Sequence, residues 1–95
     1  MRIIYTYESV EDLKRLREFI EVHNPPAARR TASELLQGIQ RLKTFSRIGL
    51  PVSRAPDPEL LRDLYIGNYT VRYLIGNNTI HILRIWHGRE NEKDI

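Results

Sequence analysis

The sequence has no cysteine, three lysines and no long apolar run among its 95 residues. Without cysteine there is neither a disulfide framework nor a thiolate metal site, so packing alone must stabilise the chain. That suits a reducing compartment, and we expect a cytoplasmic protein. The apolar runs are far too short to span a bilayer, and Glu8 and Glu11 interrupt any signal-peptide core, so we expect no membrane partner.

Length and composition predict one globular domain over residues 1–95. The sequence is 41% hydrophobic and 28% charged, which is typical of a folded domain and excludes general disorder. A chain of this size buries one modest core. The tail 91–95 has strongly mixed charge, and we expect it to be flexible until it is bound.

Positive charge is concentrated in one stretch and is carried mostly by arginine. Residues 29–54 hold six basic residues against Glu34 alone, a net charge of +5 in a chain of +3. Such a stretch is typical of a surface for an acidic partner, either nucleic acid or protein, although a solvated helix face has the same composition. The overall charge is low for a dedicated DNA-binding protein.

The first third of the sequence predicts a strand followed by a helix. Residues 2–7 are β-branched and aromatic, as in strands. Apolar residues then recur at three- and four-residue spacing over 9–23, which predicts an amphipathic helix with Ser9 as its N-cap. Asn24-Pro25-Pro26 ends this helix, because a residue before proline avoids the helical conformation.

A second apolar stripe predicts another helix over residues 26–46. The short connection makes the two helices an antiparallel hairpin. Gly38 lies inside this helix, where glycine costs about 1 kcal/mol relative to alanine. We therefore expect Gly38 to mark a close approach to the first helix.

The remainder of the chain predicts a loop and three strands. Prolines and glycine indicate a long loop over 47–58, and alternating apolar residues indicate strands at Leu60–Ile66, Tyr69–Ile75 and Thr79–His87. The predicted fold is α+β, in the order β-α-α-β-β-β. It consists of a single, mainly antiparallel sheet with the helical hairpin packed on one face.

His87 is the histidine with the most suggestive surroundings. It ends the last predicted strand between Arg84 and Arg89, where it could serve phosphodiester chemistry as an acid or a base. It could equally be a strand-end histidine bonded to backbone, with the arginines in ion pairs. The sequence shows no phosphate-binding loop and no histidine pair at metal-binding spacing, so we expect no metal and no cofactor.

Arg62 and Arg72 lie on the first two strands of the predicted β-meander. On an exposed sheet face they would form, with Arg84, a basic concave surface for a phosphate backbone or an acidic peptide. The alternative is that they pair with Asp63 and Glu59 nearby.

The segment Leu60–Glu90 resembles the toxins of the RelE/ParE superfamily of bacterial toxin–antitoxin systems. It contains an arginine, then Gly-x-Tyr, then Arg-Tyr, then Ile-Leu-Arg-Ile-x-His-Gly-Arg. The entry to the second helix, Asn24-Pro25-Pro26-Ala27-Ala28, also fits, and the likeness covers nearly the whole chain. The His-Gly-Arg ending and the helix entry are more similar to the ParE branch.

This resemblance implies a small toxin that a labile cognate antitoxin neutralises, with operator DNA contacted only through the antitoxin. The ParE branch implies inhibition of DNA gyrase without catalytic residues or a cofactor. The RelE branch implies a ribosome-dependent mRNA endoribonuclease, for which Arg62, Arg84, His87 and Arg89 would be the minimal catalytic set. A third possibility is a weakly toxic co-repressor that mainly binds the antitoxin.

The residues expected to contact the antitoxin or the target are basic or aromatic: Arg29, Arg30, Arg62, Arg72, Arg84, Trp86, His87 and Arg89. Two modes of antitoxin binding are expected. An amphipathic segment would lie along the helices, or an added strand would pair with an exposed edge of the sheet.

Overall fold

A computed structural model describes residues 1–90 and residue 92. The element order confirms the predicted β-α-α-β-β-β arrangement and adds one short strand. The elements are β1 (Arg2–Tyr5), α1 (Tyr7–His23), α2 (Pro25–Gln40), a 3₁₀ turn (Arg41–Lys43), β2 (Leu50–Pro51), β3 (Leu61–Ile66), β4 (Tyr69–Ile75) and β5 (Thr79–His87). No helix in the described part of the chain is long and apolar enough to cross a membrane. Apart from Glu92, the tail predicted to be flexible lies outside the described residues.

The five strands form one sheet in the order β1-β5-β4-β3-β2. Strands β2 to β5 pair antiparallel with their neighbours. Strand β1 pairs parallel with β5, because the helical hairpin carries the chain from β1 at one edge of the sheet to β2 at the other. Both helices pack on this sheet, α1 against β5 and α2 against β3. The core between them is aliphatic apart from one tyrosine: Leu16, Leu35, Ile39, Leu42, Leu64, Val71, Tyr73, Ile75, Ile80, Ile82 and Ile85.

The first helix begins earlier than predicted, and Ser9 is not its cap. Thr6 is the N-cap, and its hydroxyl oxygen accepts the Ser9 N–H at 3.2 Å. The same hydroxyl donates to the Ile82 carbonyl at 2.8 Å, which anchors the start of α1 to β5. Ser9 is buried within the first turn and donates to the Thr6 carbonyl at 2.9 Å. The strand predicted over 2–7 therefore ends at Tyr5.

Asn24 ends one helix and begins the other. Its N–H donates to the Ile20 carbonyl at 2.8 Å, and its side-chain oxygen accepts the Ala27 N–H at 3.1 Å. Pro25 then occupies the first position of α2, where the missing N–H has no helical partner to lose. The helix ends at Gln40 rather than at 46, because the chain tightens into the 3₁₀ turn that buries Leu42.

Gly38 faces the sheet and not the first helix, so the expected helix–helix approach is wrong. A Cβ at this position would lie 2.5 Å from Ile66 Cδ1. The absent side chain therefore lets α2 lie close to β3. The predicted β3–β4 turn is confirmed, with Gly67 at a φ of 58°.

The predicted loop after α2 is held against the sheet by the buried Tyr73. The Tyr73 hydroxyl donates to the Ser46 carbonyl at 2.7 Å and accepts the Gly49 N–H at 3.0 Å. A Cβ on Gly49 would lie 2.8 Å from the Asp63 carbonyl oxygen and from the Tyr73 ring. This close fit positions the two residues of β2 at the edge of the sheet.

Replacing Tyr73 by phenylalanine tests this attachment. We expect Tyr73→Phe to lower the free energy of unfolding by about 1–3 kcal/mol, because the buried Gly49 N–H and the partly buried Ser46 carbonyl lose the hydroxyl. Urea unfolding measures the change. Tyr65→Phe is the matched control, since Tyr65 is 58% exposed, and we expect it to unfold like the parent protein. Equal stability of both variants would contradict the role assigned to the Tyr73 hydroxyl.

Candidate functional site

An open groove of about 930 Å³ runs between the second half of α1 and the β3–β4 turn, and reaches the end of β5. Its apolar part includes Phe19 and Tyr65, which are 69% and 58% exposed. Its polar end is formed by residues of α1, of the end of β5 and of the segment that follows it: Arg15, His87, Arg89 and Glu90. The groove thus offers exposed aromatic rings next to charged groups, as protein-binding surfaces do.

Glu90 ties the polar end of the groove together. Its carboxylate accepts the His87 N–H at 2.9 Å and a hydrogen bond from Arg15 Nη2 at 3.3 Å. Arg15 also donates to Asp12 at 2.6 Å and to the Ile85 carbonyl at 3.3 Å. The segment after β5 is therefore fixed to α1 through one arginine.

The His87 ring is hydrogen-bonded to backbone, as in the alternative interpretation of this strand-end histidine from the sequence. Nδ1 accepts the Arg89 N–H at 3.0 Å, and the ring packs edge-to-face on Tyr69 with centroids 5.1 Å apart. Because an amide N–H can only donate, Nδ1 carries no proton in this arrangement, and the neutral ring holds its proton on Nε2. The one nitrogen lone pair of neutral His87 is thus already in use.

Arg84 is bound to a buried carboxylate on α1. Asp12 is 1% exposed and accepts hydrogen bonds from Arg84 Nε at 2.8 Å, Arg84 Nη2 at 3.0 Å and the Ile85 N–H at 2.8 Å. Burial by itself would raise the pKa of Asp12. The hydrogen bonds from Arg84, Ile85 and Arg15 outweigh it, so the pKa lies below its ordinary value.

Arg62 and Arg72 do not form the open basic surface that the sequence suggested. They are 7% and 5% exposed, and each is held by the carboxylate that the alternative interpretation named. Arg62 donates to Glu59 Oε2 at 2.7 Å and to the Gly49 carbonyl at 2.8 Å. Arg72 makes two bonds of 2.8 Å to Asp63, and its guanidinium lies 5.1 Å from the Trp86 ring centre.

The candidate residues therefore divide into scaffold and accessible surface. Of the four residues of a nuclease set, His87 and Arg89 line the groove, whereas Arg62 and Arg84 are engaged at the β2 edge and at α1. Trp86 is buried beneath Arg72. The other predicted partner-contact residues, Arg29 and Arg30, are exposed on the first turns of α2. In the described residues, no cluster of histidine and acidic side chains could hold a metal ion.

Sequence reasoning missed the groove and its acidic anchors. Phe19 carried a usable signal, because it interrupts the polar face of α1 with an aromatic ring. Asp12 also carried one, because it is an acidic residue on the buried side of the same helix. Glu90 gave none, because its side-chain partner Arg15 lies 75 residues away along the chain.

Comparisons with known proteins agree with this fold. Residues 3–92 match the family model described as ParE toxin of type II toxin–antitoxin system, parDE. The chain is 27% identical over 86 residues to the toxin RelE2 of Caulobacter vibrioides, covering 90% of this chain and 93% of that protein. A solved structure of a chromosomal ParDE toxin–antitoxin system from P. aeruginosa superposes with a TM-score of 0.77 at 20% identity, covering 92% of this chain and 95% of the other.

Substitution of the buried carboxylate tests its structural role. We expect Asp12→Asn to lower the free energy of unfolding by about 3 kcal/mol, because Arg84 and Arg15 lose a carboxylate that is itself buried. Glu18→Gln is the matched control, since Glu18 is exposed on the same helix and the substitution removes the same charge. Urea unfolding of both variants measures the difference. Similar stability of the two would contradict the assignment.

The pH dependence of stability provides a second readout of Asp12. Its pKa is lowered by folding from an ordinary value of 3.8, so its stabilising contribution is complete above that value and is lost as the pH falls through the lower folded pKa. We expect the free energy of unfolding to fall more steeply below about pH 4 in the parent protein than in Asp12→Asn. Parallel curves would contradict this.

Proposed function

The chain belongs to the family of ParE toxins of type II toxin–antitoxin systems, and from this we propose that it is a non-enzymatic inhibitor of DNA gyrase that its cognate antitoxin neutralises. The family model spans nearly the whole chain, and the matched solved structure has the same fold. The antitoxin is therefore a protein partner. Gyrase as the target is our proposal.

The observation that carries the proposal is the dispersal of the candidate acid–base groups. RNA cleavage needs a base, an acid and phosphate-binding cations at one point. Here Arg84 is committed to Asp12, and Arg62 to Glu59 and backbone carbonyls. A neutral His87 ring has one nitrogen lone pair that can accept, and that lone pair already accepts the Arg89 N–H. This geometry supports a target-binding surface better than it supports a catalytic site.

Partner contact is then best assigned to the accessible part of the predicted set. Arg29 and Arg30 are exposed on the basic face of α2 and suit an acidic antitoxin segment. His87 and Arg89 lie at the polar end of the groove, close to exposed aromatic rings. Arg62 and Trp86 are buried and Arg84 is bound to Asp12, so these three are not assigned to partner contact.

A second candidate function is a ribosome-dependent mRNA endoribonuclease. Two observations favour it. One of the matched relatives is named toxin RelE2, and His87 with Arg89 opens onto the same groove. In that case His87 would release the Arg89 N–H and take up a second proton, the resulting imidazolium would donate a proton from Nε2 to the leaving oxygen, and Arg89 would bind the phosphate.

Plasmid supercoiling by purified gyrase tests the proposed target. We expect the antitoxin-free protein to block supercoiling, and the cognate antitoxin to restore it when added in equal amount. Relaxation of the same plasmid by topoisomerase I is the control and should be unaffected. Normal supercoiling in the presence of excess folded toxin would contradict gyrase inhibition.

Pulse labelling after induction in cells separates the two candidates. We expect thymidine incorporation to fall before methionine incorporation, both for the parent protein and for His87→Ala. His23→Ala is the matched control, since His23 is exposed at the end of α1. Early loss of methionine incorporation, together with a folded His87→Ala that has lost all toxicity, would instead establish the endoribonuclease.

A further inference from the structure

Arg72 is a buried guanidinium whose position is fixed from two sides. Asp63 binds it through two parallel hydrogen bonds of 2.8 Å, and Trp86 lies against its face at 5.1 Å. A guanidinium held in this way cannot turn to follow a ligand, so its remaining N–H groups point in set directions.

Glu92 uses one of those directions. One of its carboxylate oxygens accepts a hydrogen bond from Arg72 Nη2, and the other accepts one from Arg54. The Arg72 side chain is 6% exposed, whereas Glu92 is 40% and Arg54 is 74% exposed. Hydrogen bonds from Arg72 and Arg54 lower the pKa of Glu92. Two arginines far apart in the sequence thus converge on one anion at the surface.

We propose that Arg54 and Arg72 form a carboxylate-binding site, which Glu92 occupies in the free protein and which an acidic segment of a partner protein occupies after displacing Glu92. Asp63 neutralises one of the two arginine charges, so the site carries a net charge of +1 when Glu92 leaves. Exchange of one carboxylate for another preserves both charge-assisted hydrogen bonds. The exchange starts from a partly exposed group, so little buried surface must open.

A nucleic-acid backbone fits this site less well than a protein carboxylate. Arg72 Nη2 bonds both Asp63 Oδ2 and Glu92, so any incoming anion lies next to the Asp63 carboxylate. An acidic side chain brings one charge there. A polynucleotide brings neighbouring phosphates as well, and these repel Asp63. The site does not depend on whether gyrase is the target of the toxin.

Trp86 provides the readout, because it is the one tryptophan in the sequence and contacts Arg72. Its fluorescence is followed while an end-blocked peptide that carries one glutamate among neutral residues is titrated at low salt. We expect Glu92→Gln to bind the peptide about tenfold more tightly than the parent protein, a change of about 1.4 kcal/mol. Glu18→Gln removes the same charge from α1 and should bind like the parent, which controls for net charge.

Removal of the exposed arginine tests the other half of the site. We expect Arg54→Gln in the Glu92→Gln background to abolish the gain, and Arg29→Gln in the same background to preserve it. Arg54 is largely exposed, so its loss should leave the urea-unfolding midpoint unchanged, and that midpoint confirms that each variant is folded.

Three outcomes would overturn the proposal. The first is equal peptide affinity for the parent and Glu92→Gln. The second is an equal loss of affinity in the Arg54 and Arg29 variants, which would show diffuse attraction to a basic surface. The third is a gain for a short oligothymidylate but not for the glutamate peptide, which would make the site a phosphate site.

Discussion

The buried carboxylate of Asp12 is the contact on which the arrangement of the molecule depends. It lies on α1, yet its hydrogen-bond donors include the Ile85 N–H and the guanidinium of Arg84, both on β5. Strand β1 pairs with β5 as far as Ile82, so beyond that point α1 takes the place of a neighbouring strand. A side chain thereby satisfies a backbone N–H that the sheet leaves without a partner. Arg15 extends the same network to Glu90 and hence to the groove.

In this chain, arginine side chains join elements of the fold that disulfides or a larger core would join in other proteins. Arg62 braces the segment before β2 by donating to the Gly49 and Arg47 carbonyls. Arg72 joins two strands through Asp63, and Arg84 joins β5 to α1. The planar guanidinium suits this role because it makes several directed hydrogen bonds and keeps its charge when buried. Positive charge in the sequence is therefore a poor guide to the accessible basic surface.

The sequence predicted the features that depend on local residue patterns. Strand alternation and the helical stripe located the elements to within a few residues, except at the end of α2, and the proline pair located the helical hairpin. What the sequence did not predict depends on partners distant along the chain. Thr6 caps α1 because Ile82 holds its hydroxyl, and Gly38 is small because Ile66 lies against it. Arg72 lies in register opposite Asp63, and the sequence left open whether the two pair or whether Arg72 faces solvent.

Two of the acidic residues that follow β5 contact the groove and the arginine pair. Glu90 binds Arg15 and the His87 N–H at the groove, while Glu92, two residues further on, binds Arg72 and Arg54. Residues two apart in a short segment cannot move independently over large distances. The proposed displacement of Glu92 would therefore take place two residues from the contacts that fix His87. Two carboxylates close together in the sequence thus serve two sites, Glu90 at the groove and Glu92 at the arginine pair.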